Sequence, residues 1–126
     1  MQEISGYTLS FNRSFEKDLK RLKKRFKSLP TDIDTFCKFS LPQFISNQST
    51  TGYFKVADTN INYPEFYICK KIACRSLAGK GVNSGLRLTF SFDEEYKEIF
   101  FIELFYKGDK EIEDFSRFKP DSNIDG

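Results

Sequence analysis

Hydrophobic and polar positions alternate most regularly between Gly85 and Gly108. Leu86, Leu88, Phe90 and Phe92 fall on one face of an extended segment, and Arg87, Thr89 and Ser91 fall on the other. Period-two alternation predicts a strand buried on one side. The following arm, Ile99 to Tyr106, is apolar except at Glu103, as expected for a strand covered on both faces. The polar link Asp93, Glu94, Glu95, Lys97 is short, which predicts an antiparallel hairpin. Arg87 leaves the first arm on its polar face and Lys107 ends the second, so the hairpin can bring two cations to one region of a sheet.

Upstream, Gly6 to Phe11 alternates Tyr7, Leu9 and Phe11 against Thr8 and Ser10 and reads as the first strand. Asn12 and Ser14 are N-cap candidates for a helix over 14–28. Its apolar stripe is Phe15, Leu19, Leu22 and Phe26, at steps of four, three and four. The remaining surface carries Lys17, Lys20, Arg21, Lys23, Lys24, Arg25 and Lys27, which suits either a solvated face or the rim of a polyanion site. Pro30 fits the first turn of a second helix over 31–40, with Ile33, Phe36 and Cys37 apolar, and Pro42 ends it. Residues 41–63, rich in Ser, Thr, Asn and Gln, read as an irregular insertion. Phe66 to Cys74 resumes strand character, with Phe66, Ile68 and Ile72 on one face and Lys70 and Lys71 in its middle. Gly79, Gly81 and Gly85 punctuate a loop holding Lys80, which does not match the phosphate-loop pattern and precedes no helix. Asp109 to Phe118 reads as a short helix with Ile112 and Phe115 inward, followed by a polar tail over 119–126. The sum is one α+β domain over 1–126. Its small antiparallel sheet, mixed at one edge, has about four strands, two N-terminal helices on one face and a short C-terminal helix.

Composition changes this picture at three points. The 126 residues include 15 Phe and no Trp, so the core is expected to be Phe-rich. There is no His, which excludes Ser-His and Cys-His nucleophiles and His-based zinc. Three Cys, at 37, 69 and 74, form no C-x-x-C pair and are expected to be small buried hydrophobes in a reduced, cytoplasmic setting. No signal peptide or membrane span is expected from the chain, and no cofactor or metal. The net charge of +2 conceals segregation. Residues 1–30 carry eight Lys/Arg against three acids and residues 61–92 five against one, whereas from Asp93 onward five face eleven acids. Lys70, Lys71, Arg75, Lys80, Arg87, Lys107 and Lys110 fall on or beside the expected sheet. Cations aimed at a phosphate stabilise charge that develops there, so phosphoryl chemistry fits this set.

The order of elements, strand, basic helix, second helix and three strands, resembles the RelE/ParE superfamily of toxins from bacterial type II toxin–antitoxin pairs. Phe11–Leu29, Ser84–Phe92 with its Gly85-Leu86-Arg87 motif, and Ile102–Lys110 carry the resemblance over roughly half the chain. It implies a RelE-like fold and a ribosome-dependent, metal-independent mRNA endoribonuclease that inhibits translation. In such an enzyme the RNA's own 2′-hydroxyl attacks the adjacent phosphate. It also implies a cognate antitoxin partner and mRNA in the ribosomal A site as substrate. By this resemblance Arg87 matches the phosphate-stabilising arginine and Lys107 the basic residue that ends the last strand. Lys70 and Lys71 lie in the strand that supplies further catalytic cations. Lys110, Arg75, Lys80 and Tyr106 are the candidate substrate-binding residues; the family's base-stacking ring falls near Phe115, which the helix reading turns inward, and Tyr106 is the spare candidate for it. Two alternatives stay open: a ParE-like inhibitor of DNA gyrase, and an inactive member kept as a binding partner.

Overall fold

The computed structural model describes residues 2–56 and 64–118; the expected tail over 119–126 lies outside them. Two short strands, β1 (Gln2–Ile4) and β2 (Tyr7–Phe11), open the chain as an antiparallel hairpin. Its two turn residues, Ser5 and Gly6, both take positive φ, the backbone that a two-residue hairpin turn requires. Helix α1 (Arg13–Leu22) follows, with the Asn12 side chain accepting from the Ser14 amide at 3.0 Å. Phe15, Leu22 and Phe26 are buried and Leu19 is half-buried, so the stripe faces the sheet. Regular α-helix ends at Leu22, and single turns carry the chain through Phe26 to Leu29.

The second helical body runs further than 31–40. Helix α2 (Leu29–Thr35) passes into a π-turn over Phe36–Ser40 and then into α3 (Leu41–Ile45). Pro42 therefore sits in the first turn of α3 instead of ending the rod. A proline lacks its N–H and crowds the carbonyl four residues back. The widened turn, in which the Leu41 amide bonds the Phe36 carbonyl, absorbs that mismatch.

Among the described residues the sheet has six strands, not about four, and is mixed. Beyond β1 and β2 it contains β3 (Tyr53–Lys55), β4 (Glu65–Cys69), β5 (Leu86–Asp93) and β6 (Glu98–Tyr106). The order is β1-β2-β6-β5-β4-β3; β2 and β6 run parallel, and every other pair is antiparallel. The two extra strands are three-residue edges, one of them inside the stretch expected to be irregular. β4 stops at Cys69, so Ile72 joins the helix-side core while Phe66 and Ile68 face the other way. The expected C-terminal helix is also absent. Residues 109–118 form turns and a single 3₁₀ turn at Phe115–Arg117, crossing the face of the sheet opposite the helices. Ile112 and Phe115 are largely exposed, so no apolar stripe exists there to support a helix.

Two apolar layers result. Leu86, Leu88, Phe90, Phe92, Ile99, Phe101 and Leu104 meet the helices. On the outer face, Phe66, Ile68, Phe100, Ile102 and Phe105 pack with Val56 and Phe118. In β6 the register slips: Glu103 pairs with Thr89 and Phe101 with Phe90, leaving Ile102 without a partner as a β-bulge.

Beyond Phe101 the β2 side of β6 has no strand neighbour, and side chains occupy it instead. The Ser14 hydroxyl and the Arg117 guanidinium donate to the Ile102 carbonyl. Asp18 accepts from the Leu104 amide at 3.0 Å and from Arg117 Nη1 at 2.8 Å. Replacing Asp18 with alanine leaves a buried amide without its acceptor and a half-buried guanidinium with only the Ile102 carbonyl and Asp114, and should cost about 2 to 3 kcal/mol. Asp18→Asn, which keeps an acceptor for Leu104, should lose markedly less. Urea unfolding of both variants checks the order; equal stability of Asp18→Ala and the parent would overturn it.

Cys37, Cys69 and Cys74 are all buried and unpaired. Burial pushes the Cys37 thiol up to about 12 and Cys69 up to about 11. Thiolate is the reactive form, so these groups are inert at neutral pH. An aromatic disulfide reagent at pH 8 should titrate three thiols in denaturant and react only slowly with the native protein. Rapid stoichiometric reaction of the folded chain would contradict this placement.

Candidate functional site

β5 positions the first functional side chain. Leu86 and Leu88 enter the helix-side core, so Arg87 between them emerges on the outer face. Its Nη1 donates to the Lys70 carbonyl at 3.2 Å, which draws the guanidinium towards the end of β4. Phe105 on β6 is its direct cross-strand partner.

The turn after β6 then folds back. The amides of Asp109 and Lys110 both bond the Tyr106 carbonyl, at 2.9 and 3.2 Å. Lys110 thus returns to the sheet, where its ammonium lies 5.1 Å from the centre of the Phe105 ring and pairs with Glu103. Glu103 is only 2 % exposed and also accepts from the Asp114 amide at 2.8 Å, so it is a buried anchor. Lys107 lies opposite Gly85, its amide bonded to the Gly85 carbonyl at 2.8 Å, two residues before Arg87 on the neighbouring strand. Gly85 has φ +92°, and a Cβ there would press on the Tyr106 ring at 3.1 Å. Glycine is therefore required for this approach. On the far side of Arg87, the Lys70 ammonium lies 5.1 Å from the centre of the Phe54 ring.

Of the eight sequence-derived site residues, Arg87, Lys70 and Lys110 thus gather on one side of the outer face, with the Lys107 backbone at its end beside Gly85. Only Lys110 has a carboxylate partner among the described residues.

The other four lie elsewhere. Lys71 turns to the helix side, bonding Asn83 Oδ1 at 2.6 Å, in a crevice of about 410 Å³ between the helical rod and the 71–83 loop. Arg75 is engaged by the buried Asp32, whose carboxylate also accepts from the Arg75 amide and the Ser28 hydroxyl. Lys80 is exposed on the loop. Tyr106 faces the helices, 5.0 Å from Phe26, with the Arg25 guanidinium 5.3 Å from its ring centre. The basic surface of α1 likewise belongs to the helix side of the molecule.

Phe54 and Phe105 are aromatic members of the outer face that the sequence pattern did not indicate. The alternation at Phe54 spans only a three-residue strand, too short to register as a period. Glu65 belongs to the helix-facing side of β4, opposite Phe92. There it accepts from Lys55 at 3.0 Å and Tyr67 at 2.9 Å, and the Lys55 bond lowers its pKa.

Among the described residues no group of His, Cys, Asp and Glu is arranged to hold a metal, and no helix is long and apolar enough to cross a membrane. What the outer face offers chemically is charge: one guanidinium fork and three ammonium groups, two of them over aromatic rings.

No protein-family model matches the chain, and no curated protein matches it. Among solved structures it is similar to a chain of the crystal structure of an archaeal RelE–RelB complex from Pyrococcus horikoshii OT3. The match has 14% sequence identity, covers 81% of this chain and 96% of that one, and gives a TM-score of 0.47.

Proposed function

We propose that this chain is a toxin of the RelE/ParE kind that cuts messenger RNA on the ribosome in the cytoplasm and is held in check by an antitoxin. One observation carries the reading: Arg87, Lys70 and Lys110 lie on a single face with Lys107 at the strand end beside Gly85, and Arg87, Lys70 and Lys107 have no carboxylate ion-pair partner among the described residues. Such a face suits a polyanion. In the cleavage, the 2′-hydroxyl gives up its proton to water and its oxygen bonds phosphorus as the bond to the 5′-oxygen breaks; the 5′-oxygen takes up a proton, leaving a cyclic phosphate and a 5′-hydroxyl. Negative charge builds on the non-bridging oxygens. The Arg87 guanidinium can meet two of them at once, which an ammonium cannot. Lys107 serves the departing 5′-oxygen by charge or by proton donation, and Lys110, anchored by Glu103, holds a flanking phosphate. The gyrase-inhibitor alternative has no observation in its favour.

The antitoxin expected here presents an acidic or amphipathic segment to the face around Arg87. Co-expression with the product of a neighbouring small reading frame should yield a complex that survives purification and is weakened by reversing the charge at Arg87. A complex indifferent to that change would place the partner elsewhere.

The activity itself is tested by inducing the chain alone in bacteria and mapping RNA 5′ ends beside a translation reporter. Arg87→Ala should reduce ribosome-bound cleavage on the order of a hundredfold or more, the scale expected for one preorganised donor. Lys107→Ala should also lose activity, and Arg87→Lys should retain binding better than rate. Both alanine variants remaining fully toxic while folded would overturn the assignment. DNA damage with intact messenger RNA would replace it with the gyrase reading.

A further inference from the structure

Phe54 is a large apolar side chain that is 52% exposed on an edge strand. It lies opposite Ile68, a member of the outer cluster, and so faces the same side as Arg87. Nothing in the helix-side core uses it. Its ring is approached by the Lys70 ammonium, and the carbonyl of that same lysine accepts from Arg87. Aromatic ring, ammonium and guanidinium therefore form a continuous row across β3, the end of β4 and β5. Of the other rings, Phe105 is buried beneath Lys110, Tyr106 is turned to the helices, and the exposed Phe115 of the C-terminal segment packs edge-on against Phe118 with no cation over its ring among the described residues.

We infer that Phe54 is a base-stacking subsite for single-stranded RNA on the outer face, working beside Arg87 as the phosphate contact. The inference rests on the RNA-directed reading of the face and adds to it a residue and a role. The chemistry is that of single-strand recognition: a cationic track follows the backbone while an exposed ring accepts the flat face of any base. Phe54 and Arg87 stand two strand spacings and two residues apart, about 12 Å. A base and the phosphate of a neighbouring nucleotide can span that distance. Charge complementarity selects this occupant over an apolar partner segment, because a peptide covering Phe54 would also bury the Lys70 ammonium and the Arg87 fork. Lys70 has a second consequence. By lying along one side of the ring it leaves the other side for the base, and its charge faces the adjoining phosphate.

The test uses the full chain and a short fluorescent oligoadenylate, measured by anisotropy beside a matched oligomer with abasic positions. Phe54→Ala should weaken binding to the base-bearing oligomer on the order of tenfold to a hundredfold. It should leave the weaker binding to the abasic oligomer unchanged. Phe54→Tyr should restore the affinity, and Phe54→Leu, apolar but without a π face, should not. Arg87→Ala should weaken both oligomers alike. Thermal melting of each variant separates lost stacking from lost folding. The subsite is overturned if Arg87→Ala loses binding while Phe54→Ala matches the parent, or if Phe54→Leu binds as well as Phe54→Tyr; the RNA-directed reading survives either result. Failure of the parent chain to bind either oligomer, alone or presented on ribosomes, would overturn both.

Discussion

The structure depends on how the open edge of β6 is closed. β2 accompanies β6 only as far as Phe101 and then turns away into α1. Backbone groups left bare at that edge, inside the fold, would cost the full penalty of unmade hydrogen bonds. Helix α1 and the C-terminal segment supply the partners, and Asp18 is the centre of the arrangement. A buried carboxylate is costly unless its oxygens are occupied, and here the Leu104 amide and the guanidinium groups of Arg117 and Arg21 occupy them. A single side chain thereby ties helix, strand and C-terminal segment together. The stripe of α1 is held against the sheet, and residues 107–118 are drawn across the opposite face, where Phe118 reaches Phe66.

The bulge at Ile102 acts on the same edge and decides which residues reach the outer face. With uninterrupted alternation from Ile99, Phe105 would point to the helices, with Lys107 following it, and Tyr106 would point outward. One extra residue reverses the parity of everything beyond it. Glu103 and Phe105 then face out with Lys107 beyond them, while Leu104 and Tyr106 join the helix-side core. The cation cluster around Arg87 exists because of that reversal. Tyr106, inward, becomes a packing element confined between Gly85 and Gly108, where a Cβ at either position would press on its ring.

This explains which parts of the molecule were legible in the sequence. β5 was, because Leu86, Leu88, Phe90 and Phe92 keep strict alternation and the structure keeps it too. The stripe of α1 was, because it repeats over three turns. β1 and β3 were not, since three residues define no period. The rod through Pro42 was not, because proline ordinarily ends a helix and the relieving π-turn has no sequence signature of its own. Of the candidate site, Arg87 followed from its place in an alternating strand. Lys70 and Lys71 could not be told apart, because their separation to opposite faces depends on β4 ending at Cys69. Lys110 entered the face through a turn whose geometry no local pattern announces.

The distribution of acids is the remaining step. The C-terminal third carries most of the chain's carboxylates, and part of it runs directly over the cationic face. Three of those carboxylates are already engaged: Glu103 lies beneath Lys110, Asp109 holds Arg25 on the helix side, and Asp114 accepts from Ser116 and pairs with Arg117. Arg87, Lys70 and Lys107 are left close together with no such neighbour among the described residues. Like charges gathered in this way oppose folding through mutual repulsion. The fold tolerates them because Lys70 rests over Phe54 and Arg87 over a backbone carbonyl. An anion bound to the folded face alone relieves the repulsion and stabilises the native state by mass action.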